Sequence, residues 1–251
     1  MMRSTATIPR TVIWATERIL YIAGLGANDD RPRSHQGTTD AEATIFAATE
    51  RLLSEVPLHD ISVADIISEA EISRATFYFY FSSKFAVVTG LLARVMEEIY
   101  DTVRPFVERE EDEEPEEALR RSLNAAVKVW ADHRPVLRAT HEHWHAVPEL
   151  RERWLAVVEL FTNAVASQID RERRAKTAPP GPDSRQLAAA LLWSTDRCLY
   201  VAAVGEDPRL PSEKDVVEPL IRLWLGALYG GVPLTPPAKR RGSRQSKPSA
   251  K

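Results

Sequence analysis

The stretch SRATFYFYFSSK, residues 73 to 84, places Phe77, Tyr78, Phe79, Tyr80 and Phe81 in succession, five of only 19 aromatics in the chain. Such a run suits a strand buried on both faces. It equally suits a short helix that sets one aromatic face in a core and turns the other to a partner. The flanking sequence decides between them. Upstream, Ile45, Phe46, Thr49, Leu52, Leu53 and Val56 recur at spacings of three and four, which predicts an amphipathic helix over 40–55, capped by Thr38 or Thr39 and ended by Pro57. Ser62-Val63-Ala64-Asp65 reads as a capping box, in which the hydroxyl and the carboxylate each take a free backbone N–H. A short helix to about Ala70 follows, with Ile66 and Ile67 inward. After the turn Glu71-Ile72-Ser73, Ser73 is again a good N-cap. A strand at 77–81 would have no neighbour to pair with, so the aromatic run reads as a helix, with Phe77 and Phe81 sharing the face of Ile72 and Tyr78 on another.

Beyond Ser83, a further N-cap, Val88, Leu91, Leu92, Val95, Ile99 and Val103 keep the helical period as far as Pro105. An acidic loop, Glu108 to Glu117, comes next; consecutive carboxylates without spaced Gly or Asn do not make a calcium loop. Helical patterns then cover about 116–132, 134–146, 148–175, 184–204 and 213–230, separated by Pro-containing breaks. No stretch alternates with period two over a useful length, so the expected class is all-α.

Composition narrows the setting. A 44% hydrophobic content supports a real core at this length, and the single cysteine, Cys198, excludes an internal disulfide and fits a reducing cytoplasm. The apolar stretches fall short of the roughly 20 residues of a membrane helix. The N-terminal candidate TVIWATERILYIAGLGA is broken by Glu17 and Arg18, which also argues against a secretory signal. The net charge of −3 is unevenly spread: residues 1–38 carry +2, the tail from Leu234 carries +6, and the body between them carries −11. Basic ends on an acidic body read either as arms that seek an anionic polymer or as solubilising tails.

The segment from Ile61 to Leu92, ISVADIISEAEISRATFYFYFSSKFAVVTGLL, resembles the DNA-binding domain of the tetracycline-repressor (TetR) family, and its FYFYF run followed by Ser-Lys resembles the ethionamide-regulator subgroup. The resemblance implies an all-α homodimer with an N-terminal helix-turn-helix and a helical C-terminal domain that holds a ligand pocket and the dimer interface. The corresponding divisions are a flexible basic extension over 1–38, the helix-turn-helix domain over 39–100, the ligand-binding and dimerisation domain over 101–233 and a disordered basic tail over 234–251.

By position, the resemblance puts Ser62 at a phosphate. It presents Ser73, Arg74, Thr76 and Tyr78 to the major groove and brings Tyr80 and Lys84 to the DNA backbone. The chemistry agrees: Arg forks onto guanine, the Thr methyl touches thymine, and phenols and an ammonium hold phosphate without reading sequence. Phe79 stays open between packing and contact with base methyls. Glu71 stands where the family usually has Gly, and Phe85 where it often has an acid.

In the C-terminal half, Trp130, Trp144, Trp154, Phe161, Trp193 and Trp224, with Tyr200 and Tyr229, either pack a plain core or line an apolar cavity with polar groups such as Thr195 and Asn163. The resemblance favours a cavity for a small apolar effector. Leu191, Leu192, Leu199, Leu220, Leu223 and Leu228 on the last two helices are candidates for a dimer-forming four-helix bundle. In THEHWH, His141 and His145 stand one helical turn apart; two well-placed ligands are too few for a zinc site, and titrating or capping histidines are the plainer reading. No nucleophile elbow, phosphate loop or HExxH motif points to an enzyme. The expectation is thus a cytoplasmic, ligand-responsive repressor that binds a palindromic DNA operator as a homodimer, with no catalytic residue, metal or cofactor and no membrane partner. The alternative is a helical sensor or partner-binding protein whose DNA binding has weakened.

Residues 38–104 hold eleven acids against Arg51, Arg74, Lys84, Arg94 and Arg104, a poor balance for phosphate binding. Arg31 and Arg33, just ahead of the first helix, are expected to supply missing backbone contacts as an arm. Deleting residues 1–36 should weaken operator binding and flatten its salt dependence; unchanged affinity and slope would exclude the arm.

Overall fold

A computed structural model describes residues 36–109 and 113–230. Arg33, the rest of the N-terminal extension and the basic tail lie outside the described residues. Within them the chain forms α1 (Gln36–Glu55), α2 (Val63–Glu69), α3 (Arg74–Tyr80), α4 (Lys84–Val107), α5 (Pro115–Asp132), α6 (Arg134–His143), α7 (Pro148–Ala175), α8 (Ser184–Val204) and α9 (Val217–Tyr229), with no strand among the described residues.

Ile45, Phe46 and Leu53 of α1, Ile66 of α2 and Phe77 of α3 meet over the N-terminal half of α4. Leu58 and Ile61, in the loop before α2, complete this small core. The aromatic run is a helix. Phe77 is fully buried, and Phe81, its C-cap, packs beside it and against Phe46, with ring centroids 6.2 and 5.3 Å away. The same hydrophobic cluster continues down α4 into the packing of α5, α7, α8 and α9, so α4 carries the chain across residue 100 without a break.

Several boundaries differ from expectation. Helix α1 begins at Gln36, so Thr38 and Thr39 lie inside it rather than capping it; a cap preference is worth only about 1 kcal/mol, and nothing in Gln36-Gly37 blocks helical backbone. Val56 is exposed because the helix ends at Glu55 and the chain leaves the apolar register. Pro105 does not end α4. A proline inside a helix costs about 3 kcal/mol, but the turn it begins buries Phe106 and Val107, roughly 1.5–3 kcal/mol each, and burial wins. Helix α6 stops at His143 rather than 146, in a turn where Ala146 and Val147 N–H both donate to the His143 carbonyl. Residues 213–216 precede α9 as a turn fixed by the Arg134–Glu213 ion pair at 2.6 Å.

The proposed dimer leucines also divide. Leu191, Leu199, Leu220 and Leu228 are already buried in the chain's own core, because each lies on the inward stripe of its helix; Leu223 is 47% exposed. Helix α8 is long and apolar enough to cross a membrane by composition, although the sequence offered no such stretch by run length, because Asp196 and Arg197 interrupt it. It packs on α7.

At the turn of the helix-turn-helix, Glu71 has φ +53°, the left-handed region. Ile72 N–H donates to the Ile67 carbonyl and Glu71 N–H to that of Ser68, each at 3.2 Å, which closes α2 in a Schellman arrangement. A side chain at that φ is strained where Gly is not. Glu71→Gly should therefore stabilise the protein by about 0.5–1 kcal/mol, read as a rise in the midpoint of denaturant unfolding. A fall would show that Glu71 makes compensating contacts.

Candidate functional site

Two features hold polar or aromatic groups that packing does not consume: the outer face of α3 and a cavity in the C-terminal half.

Ser73 Oγ accepts the Thr76 N–H at 3.0 Å and lies 2.8 Å from Thr76 Oγ1, so the cap fixes the first turn of α3 and aligns both hydroxyls. Arg74 and Tyr78, one turn apart, are exposed, with the guanidinium 5.7 Å from the ring centroid. Tyr78 is 47% exposed and Phe79 59%. Phe79, left open by the sequence, thus stands outward beside the residues expected to face the groove. Tyr80 is half-buried against the core and edge-on to Phe79. Ser62 is exposed at the start of α2, where its hydroxyl accepts the Asp65 N–H at 3.1 Å and its own N–H reaches Asp65 Oδ2 at 2.7 Å. Those Ser62 hydrogen bonds, the side chain's first, hold the Asp65 carboxyl below its ordinary range.

Lys84 departs from expectation. Its ammonium donates to the carbonyls of Leu58, Ile61 and His59 at 2.7, 2.6 and 3.3 Å. An ammonium has three N–H donors, and here all are taken by the loop before α2, so Lys84 ties α4 to the helix-turn-helix instead of reaching phosphate. Arg51 is likewise held by Glu69 at 2.6 Å, and Arg104 by Asp101 at 3.2 Å. Arg74 makes no ion pair among the described residues, which leaves it as the cation that the recognition helix can offer.

The cavity, of about 120 Å³, lies among α4, α5, α7, α8 and α9. Trp130, Trp154, Phe161, Trp193, Thr195 and Trp224 line it as expected. Trp144 does not: it stacks behind Trp193, ring centroids 6.0 Å apart, because α6 ends just before it. Thr195 is not a free handle, since its hydroxyl accepts Trp224 Nε1–H and donates to the Leu191 carbonyl, both at 2.9 Å. Asn163 does not line the cavity and donates instead to Glu159 at 3.1 Å. Sequence reasoning missed Ser122, Asp196 and the wall from α4, formed by Met96, Ile99, Val103 and Phe106. Asp196 carried a signal, one of two adjacent charges in the middle of a largely apolar helix. Two buried polar atoms of the lining residues, Ser122 Oγ and Trp154 Nε1, have no hydrogen-bond partner among the described residues.

His141 and His145 do not share a face as a metal pair would. His141 is enclosed by the rings of Trp130, Trp154 and Tyr200, whereas His145 stacks on Trp144 at 3.7 Å. Cys198 is half-buried against the core, and burial raises its thiol pKa.

A capped helix, a tight left-handed turn and an outward-facing second helix define a helix-turn-helix DNA-binding protein, here joined through one long helix to a domain with an internal cavity. Residues 45–90 match the model of the bacterial regulatory proteins of the tetR family, and residues 119–230 that of the C-terminal domain of the transcriptional regulator EthR. The HTH-type transcriptional regulator EthR of Mycobacterium tuberculosis is 35% identical over 191 residues, covering 76% of this chain and 88% of the relative. Its namesake from Mycolicibacterium smegmatis is 33% identical over 195 residues, covering 78% and 89%. Among solved structures, NalD, the secondary repressor of the MexAB-OprM multidrug efflux pump in Pseudomonas aeruginosa, superposes with a TM-score of 0.62 at 19% identity, over 77% of this chain and 98% of its own. The fatty acid degradation regulator FadR from Bacillus halodurans superposes with a TM-score of 0.60 at 20% identity, over 73% and 97%. These last two share the fold. The chain belongs to the TetR family and is a DNA-binding transcriptional regulator.

Lys84→Met keeps the aliphatic stem and removes the three donors. It should lower the stability of the helix-turn-helix by about 2 kcal/mol while changing the salt slope of DNA binding by less than one phosphate contact. A slope reduced by a full contact with stability intact would return Lys84 to the phosphate.

Proposed function

We propose that the protein binds a partly palindromic operator as a homodimer, represses transcription from it, and releases the DNA when a small, largely apolar effector enters the cavity. One observation carries this reading: α4 begins beneath the recognition helix, at the Lys84 clamp, and its C-terminal half walls the cavity.

A cavity of about 120 Å³ is well under the roughly 300–1,000 Å³ of an occupied small-molecule site. An effector of ordinary size therefore displaces a wall. The C-terminal end of α4 is the end least free to move, because Arg109, two residues beyond it, forms an ion pair with Glu172 of α7 at 2.6 Å, both side chains nearly inaccessible. Motion is left to the other end. Taking Val107 as pivot, Ile99 lies about 12 Å away along the helix and Lys84 about 35 Å, so a shift at Ile99 is roughly tripled at the clamp. Two recognition helices must fit half-sites about 34–36 Å apart, and a displacement of a few ångströms in each subunit breaks that fit. The effector needs only to prefer the displaced state; the coupling is a population shift.

Leu223, Gly226 and Ala227 of α9 face outward, and several apolar side chains of α8, among them Leu187, Leu192 and Val201, are only partly covered; a second copy would bury this surface in a four-helix bundle. A regulatory rather than catalytic role, exercised on chromosomal DNA in the cytoplasm, belongs to the same reading and is supported by the family. The rival reading, a sensor with weakened DNA binding, loses ground because Glu71 adopts the left-handed turn that the motif requires.

The test is a gel shift with DNA from the protein's own upstream region, with light scattering to size the complex. The expected species contains an even number of protomers. Tyr78→Phe should keep the fold and lose about tenfold in affinity, the worth of one hydrogen bond to the DNA. If neither that region nor any genomic fragment is shifted, the reading fails.

A further inference from the structure

We infer that the cavity selects a lipophilic cation, an amine or quaternary ammonium on an apolar body, with Asp196 as its counter-charge; this rests on the reading of the cavity as the effector site. Among the lining residues, Asp196 is the one charged side chain, and no Lys, Arg or His is included. The rest of the wall is apolar and rich in tryptophan, with Trp130, Trp154, Trp193 and Trp224 on it. Aromatic faces carry partial negative charge and attract cations, most strongly where water is excluded. Carboxylate and rings thus act with the same sign.

No arginine or lysine pairs with Asp196 among the described residues, and its one ion-pair contact is with His141. Arg197, its neighbour in α8, lies over Tyr200, 5.0 Å from the ring centroid, and faces Glu206 at 3.6 Å; Arg138 of α6 pairs with Glu142 at 3.7 Å. His141 Nε2 comes within 3.2 Å of Asp196 Oδ1, yet that buried nitrogen makes no hydrogen bond, so the contact is out of line. Neither carboxylate oxygen accepts a hydrogen bond among the described residues. The Asp196 side chain is 19% exposed, which leaves it partly desolvated without a full partner, and this is costly for a carboxylate. A ligand cation removes that cost. An uncharged ligand leaves it in place, and a carboxylate ligand adds like-charge repulsion. The buried Ser122 hydroxyl, without a partner of its own, is a second acceptor on the same wall.

The experiment titrates the full-length protein at neutral pH with octylammonium, octanol and octanoate, three ligands of one chain and different charge, by calorimetry or by the fluorescence of the lining tryptophans. Octylammonium should bind about tenfold or more tighter than octanol, and octanoate weakest. Asp196→Asn, nearly isosteric, should abolish the preference while leaving octanol within about twofold of its wild-type affinity. Equal binding of octylammonium and octanol by the wild type, or a preference that survives in Asp196→Asn, would overturn the charge selectivity and leave the cavity standing as an apolar effector site. Failure of all three ligands to bind would overturn the effector site as well.

Discussion

The grip of one ammonium on three carbonyls sets how the two halves of this molecule act on each other. Lys84 begins α4 and holds Leu58, His59 and Ile61 by their backbone oxygens, so the loop that launches α2 is fastened to the helix that leads to the cavity. Side-chain packing alone would join the same parts, but apolar contacts slide at small cost, whereas a charge-assisted hydrogen bond to a partly buried carbonyl has direction. Beneath it, Phe77 and Phe81 press the recognition helix onto α1 and α4. The reading head and the upper part of α4 therefore move together.

The opposite end is fixed by another polar device. Glu172 accepts from Arg109 and Gln168 on one oxygen, at 2.6 and 2.5 Å, and from Tyr229 on the other, at 2.6 Å. Burial, with the Glu172 hydrogen bond second, drives the Tyr229 phenol well above its ordinary pKa. The cluster joins the segment after α4 to α7 and α9. A buried ion pair is weak evidence for stability, since an apolar replacement is often as good, but it fixes geometry, because a carboxylate with three partners tolerates little shift. With one end of α4 held this way, the polar contacts make a lever of a helix whose middle is merely packed.

Much of this was legible in the residues. Caps at Ser62, Ser73 and Ser83, the apolar period of α4 and the proline-marked breaks are local signals, and local signals placed the helices. Glu71 was legible too, because a non-glycine residue in a tight helix-turn-helix turn must adopt positive φ. What was not legible came from tertiary competition. Lys84 next to an expected DNA surface reads as a phosphate ligand until the three carbonyls beside it are known. Pro105 reads as a stop until burial of the turn after it is weighed. Trp144 and Trp193 look alike in sequence; the early end of α6 is what turns one away from the cavity. The leucines of α8 and α9 illustrate the same limit, since apolar periodicity does not say whether a stripe meets its own chain or a second one.

The recognition surface offers Arg74, which has no ion pair among the described residues, two serine hydroxyls, a threonine, and an exposed Tyr78 and Phe79, in a domain whose remaining cations are few and partly engaged. Phosphate neutralisation supplies most non-specific binding, so this surface holds DNA loosely wherever the sequence does not suit it. Discrimination then rests on a few contacts to base edges and methyls, each worth about 1–3 kcal/mol and each requiring correct placement. Such an interface needs little to undo it. A coupling of 1–3 kcal/mol, the usual range for allosteric linkage, is comparable with one or two of these contacts. A more basic head would keep its grip through that perturbation. The acidic helix-turn-helix, which looks ill-suited to DNA when charges are counted, is thus matched to the proposed release by a small ligand acting through one helix.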